Sequence, residues 1–255
     1  MMRDDRVVLQ LSCPLEKSLI FHGPLLAGIL GCIFMMLILR VFPKKDLSDS
    51  WNGVVKGVER ISGQHCTPLY ISEQEEKDFM SIMFDVQDID AFADVLVKEI
   101  PSVADSEKTR TITLLKPVFF PAPKDRAPQL ERYQVAVRAA SDELHNVFNH
   151  IVHLDYSSEV FPTYAAYSFG EDDILLAMLS VSREKIRAFV KKNIESEKGV
   201  LGVDVARINM SKRVAPIEMW KKYREKRYLF KPYNGYEEYD YTEQAALEGA
   251  FVRDV

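Results

Sequence analysis

Polar and apolar residues along this chain follow two periods, and the order of those periods occurs twice. Tyr133–Arg138 alternates between the two kinds, a period of two that predicts a strand. Beyond it, Leu144, Val147, Phe148, Ile151 and Val152 fall three and four apart. That spacing predicts a helix with one apolar face, capped by Ser141 and with Asp142 and Glu143 at its positive end. Glu159–Phe169 is rich in aromatic and β-forming residues and predicts a second strand. Residues 170–173 form a turn, and Ile174–Val181 returns as a largely buried strand. Ser182 caps a second helix with Ile186, Phe189, Val190 and Ile194 on one face, and Gly199 is placed to end it in a left-handed conformation. Gly202–Met210 alternates again as a final strand.

The same parts precede these in the same order, about 95 residues earlier. Phe34–Phe42 predicts a first strand, and Ser48 or Ser50 caps a helix that turns Trp51, Val54, Val55 and Val58 inward. Pro68–Ser72 predicts a short strand, Glu73–Lys77 a turn, and Asp78–Val86 the returning strand. Asp88 caps a helix with Ile89, Phe92, Ala93, Leu96 and Ile100 on its apolar side, and Thr109–Leu115 closes the set. Arg40 and Arg138 hold matching places in the two first strands, and Asp78 matches Asp173. The Pro-rich segment 120–130 reads as a semi-rigid linker. At about 3.1 Å per residue it is long enough to set two sheets face to face.

In the second copy, Gly170-Glu171-Asp172-Asp173-Ile174-Leu175-Leu176 stands where the Lrp/AsnC regulators carry a Gly-Asp-Tyr-Asp-type turn leading into a buried strand. In the first, Leu37–Pro43 resembles that family's first strand. Ile100-Pro101-Ser102-Val103, followed by Lys108-Thr109-Arg110-Thr111, resembles its loop and Thr-rich last strand. The chain therefore resembles a tandem of Lrp/AsnC-type effector-binding (RAM) domains. The resemblance implies an α+β fold of two ferredoxin-like βαββαβ domains, over 34–119 and 131–216, paired as in dimeric α/β-barrels within one chain or between chains. Each copy keeps only part of the signature: the first has Glu-Gln-Glu-Glu-Lys-Asp at the turn, and the second has Val203-Asp204-Val205 where threonines belong. The resemblance thus implies a composite ligand site, with Gly170, Asp172, Asp173 and Asp78 from the turns and Thr109 and Thr111 from the last strand. Hydroxyls and turn carboxylates of this kind satisfy the amine and carboxylate of an amino acid or similar zwitterion. Read residue by residue, the same groups are also ordinary turn carboxylates and β-formers.

The regulators that carry this domain read DNA through an N-terminal helix-turn-helix, and the residues before the first strand do not form a polar, basic two-helix pattern. A formal charge of -5 argues further against a phosphate-binding surface. Leu19–Leu39 is an apolar run long enough to span a bilayer, followed by Arg40, Lys44 and Lys45, which would keep the downstream chain cytoplasmic. That run competes with the strand beginning at Phe34. Translation from Met35 or Met36 would remove the conflict and leave a cytoplasmic protein; alternatively 1–33 is an apolar extension, with a short apolar helix ending near Cys32 before the strand.

Chemistry-bearing residues change this picture little. Cys13, Cys32 and Cys66 have neither metal nor disulfide spacing, and His145, His150 and His153 lie on one predicted helix without a ligand set. No nucleophile elbow, phosphate-binding Gly loop or zinc motif occurs, so no catalytic residue, metal or cofactor is expected. The segment 217–255 is an aromatic and charged tail that reads as packing or a docking arm. The expectation is a non-catalytic sensor of an amino-acid-like effector acting through a partner transcription regulator. A membrane-anchored interaction module and a ferredoxin-like barrel enzyme are the alternatives. The enzyme requires a polar cluster with shifted pKa values inside the cleft.

Overall fold

The computed structural model describes residues 35–44, 47–61, 66–102, 104–120, 122–170 and 172–216. The extension 1–33 and the tail 217–255 lie outside the described residues, as does Phe34. Met35–Leu39, the end of the apolar run, belongs to the first strand, β1 (Met35–Pro43). Both edges of β1 are hydrogen-bonded, to Met80–Val86 on one side and to Ala104–Phe119 on the other. A bilayer helix through Leu39 is thereby corrected: those backbone groups are spent on a sheet. Among the described residues, no helix is long and apolar enough to cross a membrane.

The order of elements is βαββαβ, twice. After β1 come α1 (Leu47–Glu59), β2 (Cys66–Gln74), β3 (Met80–Val86), α2 (Ile89–Asp94) and β4 (Ala104–Phe119). Then follow β5 (Glu131–Ala139), α3 (Leu144–Val152), β6 (Val160–Phe169), β7 (Ile174–Ser180), α4 (Arg183–Asn193) and β8 (Val200–Arg213). Local chemistry accounts for several boundaries. The Asp88 side chain accepts from the backbone N–H of Asp90 at the start of α2, and Ser182 accepts from that of Lys185 at the start of α4. Gly199 takes a φ of 88°, where an L side chain is strained, and a Cβ there would run into Glu143.

Some boundaries differ from the sequence pattern, for tertiary reasons. β4 is far longer than Thr109–Leu115, because its second half pairs with β6 from Thr113↔Phe169 to Phe119↔Tyr164, through a register shift beside Lys116, whose φ is 49°. That pairing carries the strand to the start of the Pro-rich segment. Helix α2 continues as a π turn over Val95–Glu99 and a 3-10 turn at Ile100–Ser102, bringing Ile100 into the core. Helix α3 begins at Leu144 rather than at Ser141, with Glu143 as its N-cap.

The eight strands form one closed antiparallel barrel in the order β1-β3-β2-β8-β5-β7-β6-β4. Each half supplies four adjacent strands, and the last strand of each pairs with the second strand of the other, β4 with β6 and β8 with β2. Closure leaves no open edges. The outer face of each half packs on its own helices. One core holds Leu37, Leu39, Val54, Val58, Ile82 and Phe84; the other holds Val135, Val137, Phe148, Ile151, Leu176 and Val190. The opposite strand faces meet inside the barrel, where Met36, Ile38, Tyr70, Met83, Ile112, Leu114, Ala136, Ala166 and Leu175 gather. Side chains just fill an eight-stranded barrel. Here several inward positions carry Ala or Ser, which leaves room.

Candidate functional site

The interior is divided across its middle by a polar crossbar. On β2, Gln74 projects inward next to Ser72; on β5, Gln134 lies between Arg132 and Ala136 on the inward face. The Gln74 carboxamide donates to Gln134 Oε1 at 2.8 Å and to Ser81 Oγ at 3.3 Å, and all three side chains are buried. A buried amide without a partner is costly, so a carboxamide in one half is matched by one in the other. Gln134 lines the cavities on both sides.

On one side lies a small cavity, partly open to solvent. Ile38, Met83, Tyr70, Tyr164, Thr163 and Arg132 are among its walls. Arg132 Nη1 donates to Ser211 Oγ at 2.6 Å and to the Tyr70 hydroxyl at 3.3 Å. Its Nη2 is buried and finds no acceptor among the described residues. The Tyr164 ring packs against Phe119, with centroids 6.4 Å apart. Burial pushes the Tyr164 phenol above its ordinary pKa, and the neighbouring Tyr70 adds to the rise. Tyr164 therefore stays a neutral hydrogen-bond donor at neutral pH. A guanidinium and two phenols in a mostly apolar chamber suit an oxygen that carries or develops negative charge.

The other side is charged. Arg40, 6% exposed, lies over the Phe79 ring at 4.9 Å and reaches Asp172 at 3.4 Å. Lys77 pairs with Asp204 at 2.8 Å. Each pair ties a β-turn of one half to a strand of the other, so the two turns help hold this end of the barrel.

The residues singled out in the sequence do not converge. Asp172 enters the charged compartment. Asp173 is spent on the backbone, accepting from the Ala139 N–H at 2.8 Å. Gly170 is exposed and abuts Ile112 and the Thr111 carbonyl, so the turn of the second half does lie against β4 of the first. The Thr111 side chain, however, is exposed on the face of β4 opposite the inward Ile112, and Thr109 Oγ1 donates to the Asp105 carbonyl. Asp78 is exposed. His145, His150 and His153 each take separate partners around α3, and no group of three potential metal ligands occurs among the described residues. Burial raises the Cys66 thiol to about 12, so it is an inert core thiol.

Arg132, Gln134, Tyr70, Tyr164 and Gln74 were missed in the sequence. The available signal was a polar residue at an inward position of a strand whose neighbours are apolar, as in Tyr-Gln-Val-Ala-Val.

No protein-family description matches the chain, and no curated protein matches it. Among solved structures it is similar to a candidate monooxygenase from Lactobacillus acidophilus, at 11% identity and a TM-score of 0.47, covering 71% of this chain and 97% of that one. It is also similar to an anthrone oxidase-like protein, at 6% identity and a TM-score of 0.43, over 71% and 94% of the two chains. A third is chlorite dismutase from Candidatus Nitrospira defluvii in complex with imidazole, at 10% identity and 0.44, over 74% and 94%.

These findings correct the resemblance to Lrp/AsnC effector-binding domains. With it go the non-catalytic sensor, the amino-acid effector, the partner transcription regulator and the membrane partner. Against the expectation that the chain is not an enzyme, the similar structures bear enzyme names. The physical reason is that the turn, the buried strand and the β-branched last strand belong to the βαββαβ arrangement in general and not to one ligand. At these identities and scores the likeness concerns the fold and supplies no activity for this chain.

Proposed function

We propose that this chain is a barrel enzyme acting on a flat, mainly apolar small molecule that bears an acidic hydroxyl or an enolisable carbonyl. The cavity between Arg132 and the crossbar would hold the oxygen of that molecule as an anion. The observation that carries this reading is the Arg132 guanidinium, held by Tyr70 and Ser211 in the same cavity as the protonated Tyr164 phenol. Fixed donors in a water-poor chamber cost no reorganisation when charge develops, and the loss of one such donor commonly costs about 3–4 kcal/mol in the barrier. Arg132 would bind the oxyanion, Tyr70 would orient the guanidinium and Tyr164 would donate a second hydrogen bond. The proton released on ionisation passes to solvent through the open side of the cavity. The polar cluster that a barrel enzyme requires is supported by Arg132, Tyr70 and Tyr164 together, and among them burial raises the Tyr164 phenol.

Two measurements test the reading. 4-Nitrophenol titrated by absorbance in the presence of saturating protein should ionise at a pH lower by about one to three units, the effect of a guanidinium on a neighbouring acid. Arg132→Met should abolish the shift. A catalytic readout is the exchange of α-protons of 2-tetralone with deuterated solvent, followed by NMR, which should outpace buffer alone and fall in Arg132→Met and Tyr164→Phe. An unshifted nitrophenol, or exchange indifferent to Arg132, would refute the proposal.

We further infer that residues 34–119 and 131–216 are duplicated ferredoxin-like halves, the finer division of the fold. The repeated element order and the reciprocal pairing of β4 with β6 and β8 with β2 support this.

A further inference from the structure

The crossbar is more than a partition. Arg132 and Gln134 are two residues apart on β5, so both side chains project into the barrel from points about 6.6 Å apart along the strand. Gln134 is 9% exposed and lines the Arg132 cavity as well as the charged one. Its oxygen is taken by the Gln74 carboxamide, which is itself steadied by Ser81. With that oxygen engaged, the Gln134 NH2 group is the end left to address a ligand, and its rotation is stopped by a side chain two strands away, on β2. An N–H donor thus belongs to a side chain that lines the same cavity as the guanidinium.

Resting on the anion-binding reading of Arg132, we propose that Gln134 is a specificity-determining residue and that the cavity selects molecules with oxygen at both ends. An anionic oxygen meets Arg132, and an oxygen that accepts a hydrogen bond meets the Gln134 carboxamide. A ligand lacking the second oxygen leaves the Gln134 N–H groups desolvated and unpaired, and sites built around a buried donor discriminate against such ligands. Gln74 is a positioning residue in this scheme, acting only through Gln134.

The probes are 2-naphthoate, 6-methoxy-2-naphthoate and 6-hydroxy-2-naphthoate, with affinities measured by calorimetry on the full chain. The wild type should bind both 6-substituted compounds roughly 3- to 10-fold tighter than 2-naphthoate, the range of one added hydrogen bond. Gln134→Met should remove both preferences. Gln134→Glu keeps an acceptor for Gln74 but replaces the donor. It should keep the preference for the 6-hydroxy compound, which can donate, and lose that for the 6-methoxy compound, which cannot. A purely structural role would not separate the two probes in this way. Arg132→Met should weaken all three compounds alike, by about tenfold or more. Equal affinities in the wild type, or a preference that survives Gln134→Met, would overturn the proposal while leaving Arg132 as the anion site. Failure of all three naphthoates to bind, or binding indifferent to Arg132→Met, would bring down both readings.

Discussion

Ile38 and Leu39 are neighbours on β1 and face opposite ways, so the same truncation at each should have different consequences. Leu39 is 0% exposed and packs between the sheet and the helices of the first half, among Val54, Val58 and Ile82. Ile38 is 3% exposed and lines the cavity inside the barrel. Leu39→Ala removes three carbons from a close-packed layer and should cost about 2–5 kcal/mol, because the surroundings relax only partly around the void. Ile38→Ala extends a space that already exists and should cost near the lower end of that range, about 2 kcal/mol. For a fold of this size a loss of about 3 kcal/mol lowers Tm by roughly 6–12 °C. Urea unfolding followed by far-ultraviolet circular dichroism gives both values, and calorimetry with 2-naphthoate reads the cavity. Ile38→Ala should alter naphthoate affinity and Leu39→Ala should leave it unchanged. A cost below about 1 kcal/mol for Leu39→Ala would refute the placement of residues 35–43 as a central strand. Equal effects of the two variants on naphthoate would refute the separation of the two faces.

Three other outcomes follow from particular contacts. Cys66 is raised from an ordinary 9.0 to about 12 by burial, with a smaller push from Asp85, and Tyr164 and Tyr156 are also raised from 10.0. The folded chain keeps protons that the unfolded chain has lost, so these groups stabilise fully below about pH 9 and progressively less as pH rises towards 12. The urea midpoint should fall above about pH 9, and Cys66→Ala should flatten the first part of the fall. Gly199→Ala meets both a φ of 88° and the Glu143 side chain and should cost more than about 1 kcal/mol, whereas a Cβ at Gly202 meets only the mobile end of Arg138. Thermal melts of Gly199→Ala and Gly202→Ala should therefore separate, and equal melts would contradict the turn geometry. Asp173→Ala removes the acceptor of the Ala139 N–H and should cost about 1–3 kcal/mol in stability with no change in naphthoate affinity. A change in affinity at normal stability would show that Asp173 touches the ligand.

Much of the fold was legible because strand and helix periods are local properties. Val135 and Val137, alternating with Gln134 and Ala136, mark β5 with no knowledge of its neighbours, and Asp88 and Ser182 mark helix starts through a single hydrogen bond each. The far end of β4 was not legible, since its length there depends on pairing with β6 of the other half. The site was hidden for a related reason. Arg132, Tyr70 and Tyr164 lie on three different strands, Tyr70 in one half and Arg132 in the other, and only the pairing of β2 with β8 brings Ser211 and Tyr70 to the same guanidinium. The turn carboxylates drew attention because turns are visible in sequence, yet Asp173 is a backbone acceptor and Asp172 lies on the far side of the crossbar.

The sequence by itself determined the order of elements, the apolar face of each helix and the side of each strand that the helices cover. Those follow from spacing along a single segment, where burying one face is favourable whatever lies across from it. Tertiary structure alone decided that the sheets close into one barrel, that Met35–Leu39 is strand, and which inward residues share a cavity. The reason is that strand register across a sheet is set by partners far away in the chain, and one residue of slip would turn Gln134 and Arg132 to the opposite face.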